Sequence, residues 1–345
     1  MNNNSSQIVL VTGGTGFLGT HCILKLLKLG YTVRTTVRKL DRREEVLTML
    51  KFGGVENAES LSFYAADLTK DEGWQDAISG CGYILHIASP FPSKMPGDEN
   101  ELIVPAREGS LRLLKIAEQE RVRRVVLTSS FAAVGYGHEK TDKVFTEADW
   151  TDPGNPNVSA YVKSKTIAEQ AAWDFVKGQG INLELAVINP VAIFGPLLGG
   201  HLSTSTEIVK QLLDGRVKAA PKIYFTAVDV RDVADLHIKA MTHSQAPGER
   251  FLACTGPSLS ILDVAMIMKH ALGEKAGKVP QRELPNWLVR LAGVFNRQMK
   301  PFLNELGKIK QISNEKAKSV LGWQPRSHEE AILSCAESIL NLEES

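Results

Sequence analysis

No run of apolar residues in this 345-residue chain is long enough to cross a bilayer, and the opening residues, Met1 to Gln7, are polar. Neither a membrane span nor a secretory signal is expected, and the chain reads as cytoplasmic with no membrane partner. Cysteine is scarce: Cys22, Cys81, Cys254 and Cys335 stand far apart. They lack the paired spacing of a metal site, as do His201 and His237, so no metal is expected and buried thiols in a reducing compartment are the better reading. An excess of one charge is missing as well. The 40 Lys and Arg against 39 Asp and Glu leave a net charge of +1, which argues against a general nucleic-acid binder. Repeats and low-complexity linkers are absent too. What remains, 43% hydrophobic and 23% charged residues, suffices for one large core or a core with a smaller subdomain.

The informative stretch comes at once. Ile8 to Val11 form a short apolar run that reads as a strand buried on both faces. Gly13, Gly16 and Gly19 follow, each three further on. Phe17, Leu18, Ile23, Leu24, Leu26 and Leu27 then mark one face of a helix. Strand, glycine turn and helix are what a dinucleotide pyrophosphate needs. The first glycine permits the tight turn, the second lets backbone approach phosphate, and the third lets helix pack on strand. Free N–H groups at the helix start hold the anion. Gly13, Thr15, Gly16, Phe17, Leu18 and Gly19 are therefore candidate cofactor residues.

Strand patterns recur near residues 8–12, 32–38, 61–65, 82–88, 124–130 and 182–189, with helical patterns near 17–29, 42–51, 72–79, 99–120 and 159–178. That alternation predicts an α/β fold, a Rossmann-type doubly wound parallel sheet with helices on both faces. After Pro190 the pattern becomes irregular. Val228 to Met241 looks like a return to the core, a short strand and then a helix. From about residue 244 the chain reads as mostly helical, including Ser313 to Leu321 with Gly322 as its cap. The expected division is a dinucleotide-binding core over 1–190, rejoined by 226–243, and a smaller, mostly helical substrate lobe over 191–225 and 244–345. The cleft between them falls at the carboxyl ends of the strands.

What the second strand lacks decides the cofactor. An NAD site usually places an acid about 20 residues past the glycines, on the ribose hydroxyl. No acid precedes Asp41 here; Arg38 and Lys39 close the strand, with Arg42 and Arg43 just beyond. A guanidinium fork grips a ribose 2′-phosphate, so NADP is expected, against the plainer reading of a solvated basic turn. Asp67, ending the third strand, has the chemistry to accept from an adenine amino group; otherwise it caps the next helix.

The chemistry is expected in three places. Tyr161 and Lys165, in Tyr161-Val-Lys-Ser-Lys165, share one face of a helix. A free phenol titrates near pH 10, and a lysine ammonium beside it favours the phenolate and draws that value down. The pair makes a general acid for a carbonyl oxygen that is receiving hydride at its carbon. Ser130, after the fifth strand, is placed to bond the same oxygen. Ala88, in the loop Ala88-Ser-Pro-Phe91-Pro, is expected to wall the nicotinamide and substrate pocket. His86 is a candidate base, although a histidine in an apolar strand is more often a core residue.

Together these motifs resemble an extended short-chain dehydrogenase/reductase, in the branch holding dihydroflavonol reductases, cinnamoyl-CoA reductases and yeast-type methylglyoxal and aldehyde reductases. The resemblance rests on Val11-Thr-Gly-Gly-Thr-Gly-Phe-Leu-Gly19, Thr32-Val-Arg-Thr-Thr-Val-Arg38, Ala66-Asp67-Leu68, His86-Ile-Ala-Ser-Pro90, Arg124-Val-Val-Leu-Thr-Ser-Ser130, Tyr161-Val-Lys-Ser-Lys165 with Ala168-Glu-Gln-Ala-Ala-Trp173, and Ile188-Asn-Pro-Val191. It implies that Ser130, Tyr161 and Lys165 are the catalytic triad, that Arg38 binds the 2′-phosphate, and that Asp67 with Leu68 meets the adenine. It further implies that Pro190 and Val191 flank the nicotinamide, that Ser205 reaches the cofactor, and that hydride leaves from the B face. The sequence departs from dihydroflavonol reductases at Gly135, where those enzymes carry Asn or Asp, so flavonoid selectivity is not inherited.

The expected activity is NADPH-dependent reduction of a small-molecule aldehyde or ketone, by a monomer or homodimer. Two alternatives stand beside it. One is a sugar-nucleotide epimerase or 3β-hydroxysteroid-type dehydrogenase of the same fold, which favours NAD and the missing acid. The other is a regulator that binds NADP without turnover.

Overall fold

The computed structural model describes residues 4–90, 97–138, 142–200, 202–295 and 300–344. The first half realises the expected alternation: β1 (Ile8–Val11), α1 (Phe17–Lys28), β2 (Thr32–Val37), α2 (Arg43–Phe52), β3 (Leu61–Ala65), α3 (Trp74–Ile78), β4 (Tyr83–His86), α4 (Asn100–Gln119), β5 (Arg124–Thr128), the short β6 (Val144–Phe145), α5 (Ala160–Val176) and β7 (Glu184–Pro190). Then come β8 (Ala192–Phe194), α6 (Thr204–Leu213), β9 (Ala220–Pro221), β10 (Tyr224–Asp229), α7 (Val230–Thr242), β11 (Arg250–Ala253), β12 (Thr255–Ser260) and α8 (Ile261–Leu272). The tail adds β13 (Glu283–Leu284), α9 (Asn286–Phe295), α10 (Lys300–Glu305), β14 (Gln311–Ile312), α11 (Glu315–Leu321) and α12 (His328–Glu344).

One 7-stranded parallel sheet in the order β11-β7-β5-β4-β1-β2-β3 carries the fold. The continuous apolar runs follow from helices covering both faces. On β1, Val9 and Val11 point into a cluster built with α1, α2 and α7, and Leu10 points to the opposite cluster, with α3, α4 and α5. A second lobe packs α6, α8 and α12 around a 3-stranded sheet, β12-β10-β8.

After residue 244 the tail is mostly helical, as expected, and it also contributes strands. Arg250–Ala253 pairs with β7 as the edge strand of the central sheet, and Thr255–Ser260 pairs with β10 in the smaller one. A four-residue run buried throughout has no periodicity to separate strand from helix. The helix capped by Gly322 is present as α11, with Gly322 left-handed at φ 57°. Its Ala317 and Leu321, with Trp323 beyond, pack into the α1–α7 side of the central core.

Arg124 opens β5 wholly buried. Its Nη1 donates to the carbonyls of Ala240 at 2.8 Å, Met241 at 2.9 Å and His243 at 2.8 Å, and its Nε donates to Glu184 at 2.8 Å. Those carbonyls are the orphans at the end of α7. Arg124→Met keeps the bulk but removes these donors, and should lower stability by about 2 kcal/mol. The check is the urea midpoint, and an unchanged value removes the capping role.

Candidate active site

The chain runs β1, β2, β3 to one side and returns at β4 on the other, so a crevice opens at the carboxyl ends of β1 and β4. The glycine turn lies there. Gly13 has φ +75°, and a Cβ on it would stand 3.2 Å from the Cα of Ala88. A Cβ on Gly19 would come within 2.3 Å of the Gly13 carbonyl oxygen, so only glycine lets α1 seat this close. Gly16 is exposed at the N-cap of α1, with no side-chain capping bond; the first amides of the helix are thus available to an anion. Thr15 and Phe17 are half-buried, and Leu18 is buried. Phe17 packs against the central core and the second lobe alike, placing the turn at their junction.

Thr12, which the sequence analysis did not single out, ties this turn to β4. Its Oγ1 accepts from the amides of Ile87 at 3.0 Å and Ala88 at 2.9 Å, and lies 2.9 Å from His86 Nδ1. With two donors already received, the Thr12 hydroxyl donates to Nδ1, leaving the ring proton on Nε2. Burial pushes the His86 pKa down to about 3, and the charge of Lys165 adds to that. His86 is therefore a neutral core residue that holds a loop.

Ser159 caps α5, its side chain accepting from the Val162 amide at 3.3 Å, and this fixes Tyr161 in the first turn of the helix. Ser130 leaves β5 and accepts from the Ala132 amide at 3.1 Å. A hydrogen bond joins the Ser130 and Tyr161 side chains. Lys165 stands one turn along from Tyr161, in a small cavity with Leu68, His86, Ala88, Ser129 and Glu169. The expectation that lysine draws the phenol pKa down needs revision. Burial dominates and raises the Tyr161 pKa, with only the Ser130 bond pulling the other way. Lys165 is itself desolvated, its pKa pushed down to about 8 despite the Glu169 carboxylate. A phenol held in its protonated form suits a proton donor.

Arg38 and Lys39 are exposed beyond the end of β2. Asp67 does not cap α3, whose N-cap is Gly73; its Oδ1 instead accepts from the amide of Thr69 at 2.8 Å and the hydroxyl of Thr69 at 2.7 Å. Those bonds lower its pKa first, and the charge of Arg38 lowers it further, which puts the two residues on one side of the crevice. Pro190 is buried at the end of β7 and Val191 half-buried just after it. Ser205 stands in the first turn of α6 and does not line the cavity around Lys165. Phe91 and Pro92, in the loop expected to wall the pocket, and His201 lie outside the described residues. At Gly135 a Cβ would fall 2.1 Å from the Phe131 ring, so no Asn or Asp fits there without moving that ring.

Tyr136 carries no signal in the sequence. It packs with Tyr161 against Ala132, Val158 and Val162, and Lys310 lies 4.0 Å above its ring. No spacing in the sequence links residues 136 and 310 to the helix that bears Tyr161.

Residues 9–254 match the NAD dependent epimerase/dehydratase family. The chain is 34% identical to cinnamoyl-CoA reductase CAD2 of Medicago truncatula, over 98% of this chain and 97% of that protein. It is 33% identical to a putative NADPH-dependent methylglyoxal reductase, GRP2, of Candida albicans, over 76% of this chain and 82% of that protein. The solved structure of yeast methylglyoxal/isovaleraldehyde reductase Gre2 complexed with NADPH superposes with a TM-score of 0.80 at 28% identity, covering 98% of this chain and 99% of that one. The glycine turn at the β1–β4 crevice, the Ser130–Tyr161 bond and the family match over most of the chain place this protein in the NAD dependent epimerase/dehydratase family, among the extended short-chain dehydrogenases/reductases.

Proposed function

We propose that this protein is an NADPH-dependent carbonyl reductase acting on a small aldehyde or ketone. The observation that carries the reading is the Ser130–Tyr161 hydrogen bond, with Lys165 one helical turn away, beside the crevice formed by Gly13 and Ala88. The residues present fit the cofactor. The start of α1 has no side-chain cap, the Gly13–Ala88 approach leaves a cradle that a side chain would fill, and Arg38 and Lys39 stand where an NAD site has its acid. Relatives named as NADPH-dependent reductases support the same assignment.

Bound reduced nicotinamide supplies the hydride. Tyr161 gives its proton to the carbonyl oxygen as negative charge develops there. Ser130 donates to that same oxygen and holds it against the phenol. Lys165, one turn along α5, would hold the nicotinamide ribose. Pro190, buried at the end of β7, and Val191 after it would flank the nicotinamide ring.

The test is absorbance at the nicotinamide band, with purified protein, NADPH, and a panel of aldehydes, ketoesters and aryl ketones. Consumption of NADPH with at least one carbonyl class is expected. Binding of NADPH without turnover on any of them overturns the reading in favour of a non-catalytic NADP-binding protein.

A further inference from the structure

Beneath Ser130 and Lys165 lies a carboxylate that the reaction as described does not use. Glu169 is one turn beyond Lys165 on α5 and 0% exposed. Its Oε2 accepts from Ser129 Oγ at 2.5 Å and Asn189 Nδ2 at 2.7 Å. Its Oε1 accepts from Arg250 Nε at 2.6 Å and Trp173 Nε1 at 3.2 Å. These donors come from the end of β5, from β7, from β11 and from α5, so one side chain joins three strands of the sheet to the helix that carries Tyr161. Asn189 Nδ2 also donates to the Ser130 carbonyl at 3.2 Å. Arg250 completes the group: its Nη1 donates to the carbonyls of Glu147 and Asp149, both at 2.8 Å, and its guanidinium lies 3.7 Å over the Trp150 ring.

A buried ion pair is a costly way to fill a core, and apolar residues of similar volume usually serve stability as well or better. Its position here suggests a different use. Lys165 and Glu169 are four apart on one helix face and line the same small cavity. We propose that Glu169, held by Arg250, is a positioning residue for the reduction: it sets the Ser129–Ser130 end of β5 against α5 and supplies the negative charge that faces Lys165. This rests on the reading of Tyr161, Lys165 and Ser130 as the reducing centre. The groups facing Lys165 are Glu169 from α5, His86 from β4 and Ser129 after β5; those facing Glu169 are Ser129, Asn189, Arg250, Trp173 and Lys165. Since His86 is neutral, Glu169 is the only anion in this group.

The sign of the pH effect follows. Burial already lowers the Lys165 pKa to about 8, and Glu169 raises it against that trend. Without Glu169 the lysine loses its proton at lower pH. If charged Lys165 is needed, kcat for reduction falls as pH rises through its pKa, and the alkaline limb moves to lower pH. Glu169→Gln should move that limb by roughly 1 pH unit, and Glu169→Asp, which keeps the charge, should restore most of the shift. The measurement is kcat against pH at saturating NADPH and carbonyl for wild type and both variants. Should Glu169→Gln fail to fold with Arg250 left unpaired, the double variant Glu169→Gln/Arg250→Met removes the buried charges together, and a shift in the same direction, no larger, is expected of it. A limb that stays in place while kcat merely scales down overturns the proposal and leaves the reductase reading intact. A wild-type profile with no alkaline limb overturns the role given to Lys165, and this proposal with it.

Discussion

Replacing Tyr161 with Phe should reduce turnover by about 10²- to 10⁴-fold, the usual contribution of a positioned proton donor. The substitution keeps the ring and its packing against Ala132, Val158 and Val162, so the loss is chemical. NADPH affinity should change little, because on the proposed reading the amides of the glycine turn, and not the phenol, take the pyrophosphate. Ser130→Ala should be milder, since it removes orientation and one hydrogen bond while the phenol stays. Lys165→Ala should weaken NADPH binding and turnover together, having lost a ribose contact and a charge. Single-turnover reduction with saturating NADPH separates these cases. A Tyr161→Phe enzyme that keeps more than about a tenth of the wild-type rate lies outside the expected range and removes Tyr161 as the donor. His86 is a poor replacement: its Nδ1 is engaged by Thr12, and burial holds its pKa near 3.

Arg38→Asp should lower kcat/KM for NADPH on the order of 100-fold, about what losing a charge-assisted contact to phosphate costs. The substitution also sets a second carboxylate near Asp67, whose charge Arg38 now offsets, so a 2′-phosphate meets repulsion as well as a lost cation. Efficiency with NADH should hold or rise, because an acid at that place suits a free ribose hydroxyl. Arg38 is exposed, so the melting temperature should stay close to wild type, and a large drop in it would show a folding defect in place of a cofactor effect. Steady-state kinetics with both cofactors decide the matter: a wild-type enzyme that already prefers NADH removes the phosphate-binding role from Arg38.

Much of the fold could be read in the order of residues because its signals are local. A buried strand, three glycines and an amphipathic helix occupy consecutive positions, and backbone sterics alone make Gly13 and Gly19 glycines. Tyr161 and Lys165 share a face because four residues make about one helical turn. The missing acid before Asp41 needs no structure to be noticed. Parallel topology follows from alternation, since parallel neighbours require a crossover.

The tertiary structure decided what depends on partners distant in the chain. Arg250–Ala253 became the edge of the central sheet because β7 offered it an open ladder, and no local property of four residues foretells that. Thr12 and His86 hold one another across 74 positions, which settled His86 as a loop anchor where sequence left a possible base. Glu169 reads as one more polar helical residue until Ser129, Asn189 and Arg250 converge on it. The direction of the Tyr161 pKa turned on burial, with the Ser130 bond and not Lys165 opposing it. Backbone geometry and helical periodicity act between residues near in sequence, and so the amino-acid order determined the glycine turn and the Tyr161–Lys165 pair. Desolvation and buried hydrogen bonding are set by everything that packs around a group, and only the folded chain specifies that.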